Sequence, residues 1–241
     1  MRLALAAVLA LAAPAVAAQE LRVLSGGAAK SLIEPLAKSF PHGKVEVRYQ
    51  PMGPLVETLA QGAEADIVVV TEETLPRLER QNLVKRGAKP IARVGIGVAV
   101  NEKARAPDIS TVDAFRRTLL AAKSVVYIDP KVGTSGKHVA AVLERLGITA
   151  EVNAKARLGQ GGYIVEPVGR GEIELGIHQI SEILPVKGVK LAGPLPAELQ
   201  KYTTYVAAPV RESRLALDFI DHLGGPQART LLPQLGYTVP E

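Results

Sequence analysis

With 241 residues, 47% of them hydrophobic and 22% charged, the chain can bury a substantial core and is neither a disordered nor a fibrous sequence. Its net charge of +5 comes from Lys and Arg scattered singly, with no basic run of the kind that marks a nucleic-acid arm. Cysteine is absent, which excludes disulfides, thiolate metal sites and a cysteine nucleophile together.

Residues 1–18 read as a secretory leader. Arg2 precedes an apolar run from Leu3 to Ala13, and the small residues Ala15-Val16-Ala17-Ala18 stand before the polar Gln19-Glu20. The run is too short for a membrane span of about 20 residues, and no other long apolar stretch follows. A periplasmic or secreted protein without a membrane span in its mature chain is expected.

Leu21 to Leu24 reads as a first strand that ends in Ser25-Gly26-Gly27-Ala28-Ala29 and opens into an amphipathic helix through about Phe40, with Pro35 expected in its first turn. Val45 to Tyr49 is a second strand. It is followed by the loop Gln50-Pro51-Met52-Gly53-Pro54 and a short helix from Leu55 to Gln61. Asp66 to Val70 is a continuous apolar strand of the sort covered on both faces of a parallel sheet, and Thr71-Glu72-Glu73 caps a helix to about Arg80. Ile91 to Val100 is expected as one further strand, rich in Val and Gly.

Asn101 to Ser110 is charged, contains Pro107 and lacks periodicity, so the chain is expected to leave its first lobe there. A helix from Val112 to Ala122, capped by Ser110 or Thr111, leads to the strand Ser124 to Ile128. The stretch Asp129 to His138 comes next, a small-residue loop and a helix start. Free backbone N–H groups and hydroxyls gathered at such a point suit an anion, although Thr134 or Ser135 could equally be an ordinary N-cap. Strands around Val152 to Leu158 and Ile173 to Ile177 follow, with Gly159-Gln160-Gly161-Gly162-Tyr163 and a short helix from Ile164 to Val168 between them. Val189 to Ala192 is a brief strand, Thr203 to Ala208 returns to the first lobe, and helices from Arg211 to Leu223 and Gln227 to Leu235 close the chain. The result is an α/β protein of two lobes around a hinged cleft, with 19–100 and 206–241 in lobe 1 and 101–205 in lobe 2.

Other chemistries find little support. A phosphate-binding P-loop at Gly136-Lys137 would need glycine at 131 and Ser or Thr at 138, where Lys131 and His138 stand. The four histidines, His42, His138, His178 and His222, are too dispersed for a metal site. Neither Ser25 nor Ser135 lies in a Gly-x-Ser-x-Gly elbow, so a secreted hydrolase is disfavoured and no enzymatic activity is expected. No cofactor is implied. With no Trp, three Phe and six Tyr, the chain suits a small polar ligand better than a sugar or ring-bearing one.

The leader, Leu24-Ser25-Gly26-Gly27-Ala28-Ala29 after the first strand, the Ala65-Asp66-Ile67-Val68-Val69-Val70 strand, Asp129-Pro130-Lys131 before a helix start and Arg170-Gly171-Glu172 before Leu175-Gly176-Ile177 together resemble the type II periplasmic solute-binding proteins of ABC transporters. The likeness is strongest to their molybdate-binding branch. It extends through Leu217-Asp218-Phe219-Ile220 and Gly225-Pro226-Gln227-Ala228-Arg229 to Tyr237. The resemblance implies a monomer that closes by a hinge on a small anion and presents it to a membrane permease. It also implies contacts from Ser25 with Gly26 and Gly27, from the loop Met52-Gly53-Pro54, from Thr134 and Ser135, from about Gly161 with Gly162 and Tyr163, and from about Gln179 with His178.

Two departures bear on the ligand. The resemblance implies a serine hydroxyl in the second loop, where Met52-Gly53-Pro54 stands with Pro54 unable to donate, and a tyrosine at the fifth contact position, where His178 and Gln179 stand. Fewer hydroxyl donors, with an amide and an imidazole in their place, also suit a small organic di- or tricarboxylate. Arg157 could join them or face solvent, His178 could be a satisfied strand-end residue, and Tyr163 could be a lid or a packing residue.

Overall fold

The computed structural model describes residues 20–240, so the leader expected at 1–18 lies outside the described residues. The first strand, β1 (Glu20–Gly26), feeds through a 3-10 turn (Gly27–Ala29) into α1 (Lys30–Ser39). Leu32, Ile33 and Leu36 of α1 are buried against the sheet. Pro35 sits in the middle of α1 rather than in its first turn, which removes one backbone donor from the helix. Strand β2 (Lys44–Gln50) precedes α2 (Met52–Ala60), and β3 (Ile67–Thr71) precedes α3 (Leu75–Arg80). Every residue of β3 is buried, as its unbroken Ile-Val-Val-Val run requires of a strand covered on both faces.

The strand expected from Ile91 to Val100 is two strands. Here β4 (Lys89–Val94) belongs to the first sheet and β5 (Ile96–Asn101) to the second, and the chain changes sheet at Gly95. Periodicity runs through the crossing unbroken, so the apolar pattern carries no sign of it. Gln200 clasps this point, its amide accepting from Ile96 N at 2.8 Å and donating to Ile96 O at 2.8 Å.

The second sheet is built from α4 (Val112–Ala121), β6 (Val125–Ile128), α5 (Thr134–Arg145), α6 (Thr149–Asn153), β7 (Ala156–Gly159), α7 (Glu166–Gly169), β8 (Leu175–Gln179), α8 (Ile180–Ile183) and β9 (Val189–Pro194). The α4 start is capped by Thr111, whose hydroxyl accepts from Ala114 N at 3.1 Å. Part of the segment expected as a strand from Val152 to Leu158 is the end of α6; only residues 156–159 pair, on the sheet edge. The chain returns through β10 (Thr203–Pro209), and α9 (Arg214–Leu223), α10 (Pro226–Leu231) and β11 (Tyr237–Thr238) complete lobe 1.

The two sheets have the orders β11-β4-β10-β3-β1-β2 and β7-β6-β8-β5-β9. Strands β2, β1 and β3 are mutually parallel, as are β7, β6 and β8, while the connecting strands β10 and β5 run antiparallel to their neighbours. Parallel strands joined through helices place their carboxyl ends, and the helix starts that follow, on one side of each sheet. The ends of β1, β2, β6 and β8 face the space between the lobes.

Each lobe carries its own core. Lobe 1 packs Leu32, Leu36, Phe219 and Ile220 over β1 and β3. In lobe 2, β6 alternates: Val125 and Tyr127 join Phe115, Leu119 and Leu143 on one face, while Val126 and Ile128 join Val165, Val168 and Ile183 on the other. Helix α9 is held at its start by Ser213, whose hydroxyl accepts from Ala216 N at 3.2 Å. Ser213→Ala is expected to cost about 1 kcal/mol. In a domain of this size that lowers Tm by roughly 2–4 °C in a calorimetric scan, with ligand affinity unchanged.

Candidate functional site

A cavity of about 270 Å³ lies between the lobes, lined by Gly26, Gly27, Lys30, Tyr49, Gln50 and Met52 from lobe 1 and by Thr134, Ser135, Gly161, Tyr163, His178 and Gln179 from lobe 2, with Glu182 and Tyr205 at its base. The lobes touch around it. Gly53 N donates to Val132 O at 3.4 Å, Ser181 Oγ donates to Ala28 O at 2.8 Å, and Tyr205 OH donates to Gln179 Oε1 at 3.0 Å.

Three helices start at this cavity. The turn at Gly27 runs into α1, Pro51 is the N-cap of α2, and Gly133 is the N-cap of α5. None of these caps is satisfied by a side chain, so the first N–H groups of α1 and α5 remain available to an anion, while α2 offers less, because Gly53 N already donates to Val132 O and Pro54 has no N–H. Thr134 and Ser135 are therefore the first residues inside α5 rather than its cap.

At the end of β8 the wall changes character. His178 is 1% exposed, with Nε2 placed 3.1 Å from Glu182 Oε2 and 3.2 Å from Gly162 O, and Nδ1 placed 3.5 Å from Ser135 Oγ. Both neighbours of Nε2 are acceptors, which assigns the ring proton to Nε2 and leaves Nδ1 as the acceptor facing the Ser135 hydroxyl. Glu182 is 6% exposed and Ser135 5%, so the three groups form one buried array on the cavity wall. A buried carboxylate beside an imidazole is an arrangement for moving a proton; a site that only collects anions by N–H dipoles gains nothing from it.

Tyr205 and Gln179 form a second pair. Burial, and next the Glu182 carboxylate, push the Tyr205 phenol well above its ordinary range, so it remains a neutral donor to Gln179 Oε1. That bond fixes the amide, and Gln179 Nε2 is left buried with no partner. Tyr49 Oη and Gln50 Oε1, also on the cavity wall, are likewise buried and unpartnered. A folded protein pairs nearly all such atoms, and these three lie around one cavity.

The expected site residues fall into two groups. Gly26, Gly27, Met52, Thr134, Ser135, Gly161, Gly162, Tyr163, His178 and Gln179 all line the cavity. Ser25 does not: it is fully buried and its hydroxyl donates to Gly26 O at 3.0 Å. Gly53 faces a neighbouring basic hollow with Arg77, Lys131, Lys137 and Lys201. Arg157 is exposed on edge strand β7 and takes no part. Both Gly161 and Gly162 have φ in the left-handed region, 133° and 69°, which the turn over His178 requires. Tyr163 stands beneath Lys30, whose Nζ lies 5.1 Å from its ring centroid, so it closes the cavity mouth from lobe 2. Glu182, Lys30, Tyr49, Gln50 and Tyr205 were not anticipated. Only Glu182 had a sequence signal, its place four residues after His178.

Among the described residues no group of three His, Cys, Asp or Glu could hold a metal ion, and no helix is long and apolar enough to cross a membrane.

Comparison with known proteins agrees with this fold. Residues 21–238 match the family model for bacterial extracellular solute-binding proteins. The periplasmic molybdate-binding protein of Azotobacter vinelandii superposes with a TM-score of 0.76 at 18% identity, covering 92% of this chain and all of that one. Molybdate-binding protein ModA of Escherichia coli K12 is 24% identical over 240 residues, 91% of this chain and 89% of its own length. An aconitate isomerase from a Pseudomonas species is 33% identical over 225 residues, 88% of this chain and 85% of its own. The expectation of no enzymatic activity is corrected by this last relative. It is named as an enzyme, and the buried Ser135, His178 and Glu182 array is the physical feature that expectation overlooked, because its members lie on α5, β8 and α8 and meet only in the fold. An α/β protein of two lobes, matched over nearly all its described length and carrying an anion-receptive cleft between them, this chain belongs to the bacterial extracellular solute-binding proteins, with the type II fold of the molybdate-binding branch.

Proposed function

We propose that this chain is an isomerase of small unsaturated polycarboxylates of the aconitate kind, working in the periplasm on a solute-binding scaffold. The observation that carries the reading is the buried His178 between Ser135 and Glu182 inside the ligand cavity. In aconitate a methylene lies between a carboxylate and a carbon–carbon double bond. Removal of one methylene proton leaves a charge delocalised over the allylic carbons and the flanking carboxylates. The imidazole takes that proton on Nδ1, where it exchanges with solvent, and delivers a proton to the former vinylic carbon, so one C–H bond breaks, one forms, and the double bond moves to the neighbouring pair of carbons, where it can form with the other geometry. The N–H groups at the starts of α1 and α5 face the carboxylates on which the charge collects. Glu182 accepts from Nε2 and holds the ring in the tautomer that leaves Nδ1 unprotonated, with the Ser135 hydroxyl beside it.

The test is incubation with trans-aconitate in D2O, followed by chromatography and proton NMR. Formation of cis-aconitate with deuterium entering the carbon skeleton is expected. A protein that binds tricarboxylates yet shows neither product nor exchange would overturn the reading.

One observation favours a second reading, capture of a tetrahedral oxyanion such as molybdate for an ABC transporter permease. Three uncapped helix starts suit such an anion, and relatives of this fold are named for molybdate. Against it stand the Glu182 carboxylate in the cavity wall and the Ser25 hydroxyl turned onto the Gly26 carbonyl. A ligand that binds only the folded state raises Tm. A thermal-shift series of molybdate, tungstate and sulfate against citrate and tricarballylate therefore separates the two, the carboxylates being expected to give the larger shifts.

A further inference from the structure

The orphaned groups of the cavity lie on opposite walls. Gln179, with Thr134, Ser135 and His178, belongs to lobe 2, whereas Tyr49 and Gln50 end strand β2 of lobe 1. Beside them Lys30, the first residue of α1, places its Nζ 5.6 Å from the Tyr49 ring centroid as well as 5.1 Å from that of Tyr163. Lys30 is the one Lys or Arg among the described residues that line the cavity. Its ion pair with Glu34, 3.8 Å long with both side chains partly exposed, is of the weak i,i+4 kind and leaves the ammonium able to turn to a ligand. Burial, and next the Glu34 carboxylate, push the Tyr49 phenol well above its usual range, so it too stays a neutral donor. Gln50 adds an amide whose NH2 group is the part able to donate to a carboxylate, its buried oxygen being an acceptor.

We propose that Lys30, Tyr49 and Gln50 form a separate carboxylate subsite on lobe 1, which fixes the end of the substrate remote from His178. A tetrahedral oxyanion occupies one centre and has no use for a second cluster across the cavity. A ligand with carboxylates at both ends of a short carbon chain uses both, one on the α5 start and Gln179, the other on Lys30 and Tyr49. The subsite also explains how a cavity that contains the Glu182 carboxylate accepts a polyanion: the Lys30 ammonium is placed on the wall that the substrate's second charge reaches. Because Lys30 and Tyr49 belong to lobe 1 and the reacting array to lobe 2, such a substrate holds the lobes together while the proton moves.

This inference rests on the polycarboxylate reading, and its test separates the two. Binding of tricarballylate, the saturated tricarboxylate, is measured by calorimetry for the wild type and for Lys30→Met, Lys30→Arg and Tyr49→Phe, alongside trans-aconitate kinetics and the ligand-free Tm. Lys30→Met and Tyr49→Phe are expected to weaken tricarballylate about tenfold each, as loss of one charged or buried hydrogen bond does. They should raise KM by a similar factor with kcat within about threefold, since a remote contact binds ground and transition states alike. The ligand-free Tm should stay within about 2 °C, and Lys30→Arg should retain most of the affinity. Unchanged affinity and KM in both variants would overturn the subsite even if the wild type isomerises. Wild-type binding without turnover, lost in the variants, would sustain the subsite and overturn the isomerase. No wild-type binding of tricarballylate would overturn both.

Discussion

Replacing His178 with Gln is expected to lower turnover of trans-aconitate by about 10²–10⁴-fold, the contribution typical of a single general base. Gln is chosen because it imitates the assigned tautomer. Its N–H can donate toward Glu182 and Gly162 O as Nε2 does, and its carbonyl can accept from Ser135 as Nδ1 does, so the buried array stays paired. What the amide cannot do is take up and return a proton. Tricarballylate affinity should therefore fall by no more than a few-fold, while deuterium exchange from D2O into the substrate is lost with turnover. Activity within tenfold of the wild type would show that the proton leaves by another route. His178→Ala is the less informative variant, because it strands the Glu182 carboxylate in a buried wall without a donor, and that alone costs several kcal/mol whatever the ring does in catalysis.

The contrast between His178 and Glu182 illustrates what sequence reading reaches. Strand β3 was plain, since Ile-Val-Val-Val has one stable setting, covered on both faces. The helix starts at Gly27 and Thr134 were plain for a similar reason, small residues after an apolar run. The crossing at Gly95 was not, because β4 and β5 continue a single apolar pattern and only the pairing partners change. Ser25 was placed in the site by resemblance, and the fold turns its hydroxyl onto Gly26 O instead. Glu182 was missed for the opposite reason: its i,i+4 spacing from His178 was a faint signal, but a carboxylate in a short helix after a strand reads as solvated, and it is buried where the Ala28 loop, bonded by Ser181, approaches. Lys30 and Tyr49 likewise belong to elements that read as ordinary surface, and the lobe facing them makes them part of a cavity. Local pattern reports how each segment meets its own lobe, and the chemistry of this site lies in how the lobes meet each other.

Gly136→Ala is expected to be the most damaging single methyl group in the chain. Residue 136 is the third of α5, and a Cβ there would stand 2.1 Å from the Ile128 carbonyl oxygen and 2.8 Å from its carbon, both backbone atoms of the interior strand β6. Neither can turn aside as a side chain does, so the helix start must lift from the strand end by more than 1 Å, at a cost of about 3 kcal/mol or more. Thr134 and Ser135 lie in the same turn and move with it. A displacement of that size at a reacting group costs on the order of 10²-fold in rate. The variant should accordingly lose more turnover than its fall in Tm explains, even when assayed well below its melting point. Gly224→Ala is the control: its φ is −104° and the nearest atom to a new Cβ is 4.0 Å away, so both Tm and turnover should hold. Equal effects of the two substitutions would mean that the closeness of α5 to β6 does not position the site, and the array of Ser135 and His178 would then owe its geometry to the loop at Gly161 and Gly162 instead.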